Sequence, residues 1–185
     1  MKIRTILLAS LLLGSYTLAD TNSTKKEAIG YIKLLGGTLK TELVSKMQKG
    51  SQELDAVTFC THNAEKITKE INAKLPENAT VRRASLETRN PNNSADTTDT
   101  KIMQEYIAQI ESKSFDPKSP IKVVEDANST RVYKPLLTKP LCLQCHGEHV
   151  SDTLSKYIKE HYPKDRAMNF KEGSLRGVIV AEIKK

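Results

Sequence analysis

The sequence predicts a mixed α+β domain, and three observations carry that expectation. The N-terminal half has apolar residues at steps of three and four, the period of helices with one buried face. The middle is rich in turn residues and holds two short runs, Ile121–Val124 and Thr130–Tyr133, around Asp126-Ala127-Asn128-Ser129, which is the pattern of a β-hairpin. The final segment carries Val178, Ile179, Val180 and Ile183, β-branched side chains that suit a strand.

Each element follows from its own signal. Ile29, Ile32, Leu35, Leu39, Leu43 and Met47 form one stripe, so residues 24–49 read as a helix, weakened at Gly36-Gly37. Gly50-Ser51 reads as a break and an N-cap. A second helix is expected from Gln52 to about Leu75, with Val57, Cys60, Ala64, Ile67 and Ile71 on its inner side and Pro76 ending it. Residues 79–86 read as a strand, followed by the turn-rich run Thr88-Arg89-Asn90-Pro91-Asn92-Asn93-Ser94. Residues 100–113 read as a third helix, 149–161 as a short one before Pro163, and 173–183 as the last strand.

The N-terminus has a separate character. Lys2 and Arg4 precede a run, Ile6 to Leu13, that is apolar apart from Ser10, and Thr17-Leu18-Ala19 offers a cleavage triplet before Asp20. That is the build of a secretory signal peptide, too short in its apolar part for a membrane span. Residues 1–19 are therefore expected to be a leader, residues 20–185 a single domain, and the location periplasmic. The formal net charge of +7 falls to +5 once Lys2 and Arg4 are set aside. The remaining charges are interleaved, which is a solvated surface and not the basic patch of a nucleic-acid binder. A mildly basic surface suits an acidic redox partner.

Cys142-Leu143-Gln144-Cys145-His146 carries the chemistry. It is the attachment pattern of a c-type haem: two thiols reach the two vinyl groups on one porphyrin edge, and the adjacent imidazole ligates the iron. Two other readings exist. A redox dithiol wants a strand-to-helix turn in a βαβ unit, which the surrounding sequence does not suggest. A zinc site wants a second closely spaced pair, and the sequence has none. One covalent haem c is thus expected on Cys142 and Cys145, with His146 as ligand. A motif this late also occurs in four-helix c-prime-type cytochromes, but a β-branched tail has no place in such a bundle.

A family resemblance adds to this reading. Arg83-Ala84-Ser85-Leu86, Arg89-Asn90-Pro91-Asn92-Asn93, the haem motif with Gly147, and Tyr162-Pro163 with Leu175-Arg176-Gly177-Val178-Ile179-Val180 resemble bacterial periplasmic c-haem domains that stand alone or form the sensory end of histidine kinases. The resemblance runs from about Thr24 to the C-terminus. It implies a PAS-like fold: an antiparallel sheet, flanking helices and a long N-terminal helix. It also implies that a Cys in the second helix supplies the distal ligand, a position that Cys60 matches. The competing reading of Cys60 is a buried small hydrophobe, and Met168 is the next candidate ligand. His62, His149 and His161 read as solvated. Arg83 and Arg89 are expected beside the haem, where their forks suit propionate carboxylates. Tyr133 is placed near the porphyrin by chain proximity alone.

The expected function is that of an exported monohaem redox protein, an electron carrier or a redox or ligand sensor, acting with a redox partner protein or a membrane receptor. The alternatives are a haem enzyme such as a peroxidase, for which no distal His-Arg pair stands out, and a c-prime-like gas binder.

Overall fold

The computed structural model describes residues 14–48 and 53–185. Helix α1 (Gly14–Gln48) is followed by α2 (Glu53–His62), α3 (Ala64–Asn72), β1 (Ala79–Ala84), a 3-10 turn (Pro91–Asn93), α4 (Thr97–Glu111), β2 (Lys122–Glu125), β3 (Ser129–Leu137), α5 (Pro140–His146), α6 (Asp152–His161) and β4 (Leu175–Lys184). The strands form one antiparallel sheet in the order β1-β4-β3-β2. The expected hairpin is β2–β3, closed by the Asp126 carboxylate accepting from the Asn128 and Ser129 N–H groups, both at 2.8 Å. The fold is α+β, with a long N-terminal helix as expected.

Strand register assigns the two faces, because side chains alternate along a strand. Val81, Val132, Ile179, Ala181 and Ile183 face α1 and α3, where they pack on Ala28, Ile32, Leu35 and Ile71. Each fully buried aliphatic of this kind stabilises by about 2 kcal/mol. Ala84, Tyr133, Val178 and Val180 face the other way and pack on Ile102, Met103 and Tyr106 of α4. A third, smaller core joins Val57 of α2 to Leu154 and Ile158 of α6, with Cys145 of α5 packed against it. This last cluster sets the position of α2 relative to the Cys-x-x-Cys-His helix.

Two helix expectations change. The Gly36-Gly37 pair does not weaken α1, because Gly36 is where the helix meets the sheet: a Cβ there would lie 2.8 Å from Ile179 Cδ1. The helix expected from Gln52 to Leu75 bends at Asn63, although the Asn63 N–H still reaches Phe59 O and the Ile67 N–H reaches Asn63 O. Beyond the bend, Asn72 extends the sheet edge with its side chain, bonding both the N–H and the C=O of Val81 at 2.8 Å. The expected break at Gly50-Ser51 lies outside the described residues, as do residues 1–13, which hold the charged and apolar parts of the expected leader. No described helix is long and apolar enough to cross a membrane.

The start of α4 holds a charge network. Asp96 and Asp99 form a capping box, and the fully buried Asp99 also accepts from Arg82 Nη1 at 2.7 Å and from the Tyr133 hydroxyl at 3.1 Å. Tyr133 therefore belongs to the α4 side of the sheet, away from Arg83, which alternates to the α1 side. Its surroundings are the α4 core and Asp99, not the motif helix to which it is close in sequence. Asparagine there removes the buried charge that pairs with Arg82 and leaves one amide oxygen where two carboxylate oxygens now serve Arg82, the Tyr133 hydroxyl and the Asp96 N–H. Asp99→Asn is expected to cost about 3 kcal/mol, a fall in melting temperature of roughly 10 °C. A thermal melt that superimposes on the wild type would refute the assignment.

Candidate functional site

Helix α5 presents the motif. Lys139 is extended and Pro140 occupies the first helical turn, where a missing N–H costs nothing. Cys142 and Cys145, three residues apart, then share one face of the helix. His146 closes it, and Gly147 follows because a Cβ there would lie 2.5 Å from the Leu143 carbonyl oxygen. Cys60, Cys142 and Cys145 form no disulfide with one another.

The loop after α6 folds back over this helix. Phe170 N–H donates to His146 O at 2.9 Å and Asn169 N–H to Gly147 O at 3.2 Å. Asn169 takes a left-handed conformation, φ 62°, which Asn tolerates better than most residues. The imidazole of His146 bonds through Nδ1 to Ala167 O at 2.7 Å. A carbonyl only accepts, so Nδ1 carries the proton and Nε2 keeps its lone pair. Burial, with Arg176 and Arg89 nearby, pushes the His146 pKa down to about 3. The ring is thus neutral, the form that binds a metal.

Cys60 lies across from this helix. At about 100° per residue, it falls within the arc of α2 occupied by the buried Ala56, Val57 and Phe59. Its direction is the one expected, but its surroundings are not: Cys60 is exposed. Protein nonetheless crowds it enough that burial pushes the thiol pKa up, against the attraction of Arg83, Arg89 and Arg176. The residue is thus reached by solvent while protein crowds it on the inner side of α2. The reading of Cys60 as a buried small hydrophobe is therefore corrected.

Three arginines act on Cys60, in two different states. Arg89 is spent: its Nε reaches Asp165 Oδ2 at 3.1 Å, and its Nη2 reaches Cys145 O at 2.7 Å, Ala167 O at 3.3 Å and Met168 Sδ at 3.2 Å. Arg89 thus has Nε and Nη2 committed to a structural task, and Met168, the alternative ligand, has its sulfur engaged on that guanidinium. Arg83 and Arg176 differ. Each has an Nε that is buried without a hydrogen-bond partner among the described residues. Burial pulls the Arg176 pKa down to about 10 and lowers that of Arg83. Arg176 stacks over the Phe170 ring at 5.2 Å, and that ring stands edge-on to His146 at 6.4 Å. Sequence reasoning places Arg176 in the Leu175-Arg176-Gly177 run but assigns it no role. Its signal is an arginine beside a glycine that no side chain can replace, since a Cβ on Gly177 would lie 2.5 Å from Ala84 O.

The other histidines behave as expected. His62, His149 and His161 are exposed, with His161 stacked on Tyr157 at 4.0 Å. Among the described residues no group of three His, Cys, Asp or Glu is placed to hold a metal ion, which leaves the zinc reading without a donor set.

A family model described as Tll0287-like matches residues 15–183, nearly the whole chain. The chain belongs to the Tll0287-like family. The crystal structure of the cyanobacterial heme-protein Tll0287 superposes with a TM-score of 0.60 at 22% identity, covering 93% of this chain and 97% of that one. At that identity the superposition shows the shared fold. No curated protein matches the chain. The six residues of the site, Cys60, Arg83, Cys142, Cys145, His146 and Arg176, all fall within the span matched by the Tll0287-like model.

Proposed function

We propose that this chain is an exported redox protein carrying one covalent haem c. The observation that carries the proposal is the Cys142-x-x-Cys145-His146 helix, with His146 neutral and fixed through Nδ1, bordering two half-buried arginines whose buried Nε groups lack partners among the described residues. The donor set fits the group. Two thiols on one helical face suit the two vinyl positions, and His146 Nε2 suits the iron. Arg83 and Arg176 suit the propionate carboxylates, since an unpaired buried donor costs about 1–3 kcal/mol until an acceptor arrives. The solved relative, itself a heme-protein, supports the same reading.

A bound haem c supplies a ferric–ferrous couple. The chain's own residues do the rest. His146, held neutral by the Ala167 carbonyl, and Cys60 on the inner arc of α2 would ligate the iron, and Arg83 and Arg176 would neutralise its anionic groups. Ligation by both side chains would leave the iron no open position, so the protein would carry or sense electrons rather than act as a peroxidase. The leader reading places it in the periplasm, where a thioether-bound cofactor cannot be lost. The distinguishing measurement between carrier and sensor is ligand exchange on reduction: a reversible couple with unchanged ligation marks a carrier, and release of Cys60 marks a sensor.

The haem reading is tested on the isolated protein. Acid–acetone extraction should leave the colour with the polypeptide, and mass spectrometry should show one haem added to a chain starting near Asp20. Colour passing wholly into the organic phase would overturn the covalent attachment. An intact Met1 on haem-loaded protein would overturn the export.

A further inference from the structure

We propose that Arg89 and Asp165 are positioning residues for His146, acting through the backbone N–H and C=O of Ala167. The proposal rests on the haem reading above and adds the device that fixes the proximal ligand. Three observations meet at Ala167, which is itself fully buried. Its carbonyl accepts His146 Nδ1–H at 2.7 Å. Its N–H donates to Asp165 Oδ1 at 2.9 Å. The same carbonyl lies 3.3 Å from Arg89 Nη2.

Arg89 and Asp165 are joined by a buried ion pair, with N–O separations of 3.0 and 3.1 Å and both side chains 8% exposed. Arg89 also reaches Cys145 O at 2.7 Å. One guanidinium therefore joins the motif helix, at the residue before His146, to the loop that holds the imidazole. Neither partner can shift without moving a group that touches the ring.

The chemistry follows from what a ligating histidine needs. The hydrogen bond at its second nitrogen fixes the tautomer and the ring plane and sets its basicity. An acceptor on an exposed loop would do this loosely. Here the acceptor is clamped at both its N–H and its C=O, and the clamp is anchored on the helix that carries the ligand. Lysine cannot replace Arg89, because a single ammonium cannot span Asp165, Cys145 O and Ala167 O as a planar fork does.

The test uses haem-loaded, full-length protein. Arg89→Lys keeps the charge and loses the fork; Asp165→Glu keeps the charge and displaces the carboxylate by one methylene. Asp99→Asn, at the far face of the sheet, serves as the control for lost stability alone. Low-temperature ferric EPR reads the orientation of the axial imidazole. Both clamp variants should retain covalent haem while their g-values spread or shift and their midpoint potentials move. The control should melt earlier with wild-type g-values and potential. Wild-type g-values and potentials in both clamp variants would overturn the proposal and leave the haem reading standing. A wild-type protein without covalent haem would instead overturn the reading on which it rests.

Discussion

Cys60→Ala is expected to keep its haem and change its colour. In the wild type, Cys60 sits on the inward arc of α2, exposed as a residue, with Arg83, Arg89 and Arg176 acting on its thiol. Burial alone holds the thiol protonated, but a metal cation outweighs that cost and the arginines share in balancing the anion. Thiolate ligation favours ferric iron and a low potential. Alanine removes the sulfur and leaves the attachment on α5 untouched. The ferric spectrum should turn from low-spin to high-spin or water-ligated. The potential should rise on the order of 0.2 V, a fraction of the about 0.8 V that axial ligands span. Cys60→Met should raise the potential while leaving the iron six-coordinate. An unchanged ferric spectrum in Cys60→Ala would show that another residue is the ligand. Met168 is poorly placed for that role, since its sulfur already lies 3.2 Å from Arg89 Nη2.

The second large effect concerns attachment. Cys142→Ala should weaken covalent retention, and the double variant Cys142→Ala/Cys145→Ala should abolish it, so that the haem stain on a denaturing gel falls to background. The two single variants differ in a way the packing dictates. Cys145 lies against the Val57, Leu154 and Ile158 cluster, and Cys142 lies in none of the buried clusters. Cys145→Ala should therefore also lower the melting temperature, as a lost buried contact does, and Cys142→Ala should not. Full haem stain in the double variant would refute thioether linkage.

Most of the fold could be read from the sequence because its signals are local. The β2–β3 hairpin announced itself by Asp126, whose carboxylate closes the turn, and the last strand by its β-branched run. What could not be read depends on partners distant in the chain. Nothing near Arg89 says that Asp165 will neutralise it, and nothing near Arg176 says that its Nε will lack an acceptor. The two arginines therefore carry different tasks that look alike in sequence. Cys60 shows the same limit in another form. Helical phase predicts its direction, but the exposure of the residue and the arginines that act on it come from segments distant in the chain. Gly36 is a third instance. A glycine pair lowers helix propensity, yet here it marks the point where α1 crosses Ile179, and tertiary packing overrides the local preference.

The place of β4 bears on the order in which the protein is made. It is the last strand in the chain and lies inside the sheet, with β1 on one side and β3 on the other. Ala84 must wait for Val178, and until β4 arrives the first strand has nothing to pair with. Non-local pairings of this kind are slow to form. Cys142, Cys145 and His146 precede β4, so they leave the ribosome ahead of the strand that completes the sheet. During that interval the two thiols lie in a chain whose sheet is still open and are accessible to whatever attaches the cofactor. Arg176, at the head of β4, arrives with the closing strand. On the proposed haem reading, placement of the propionates would be tied in time to the completion of folding.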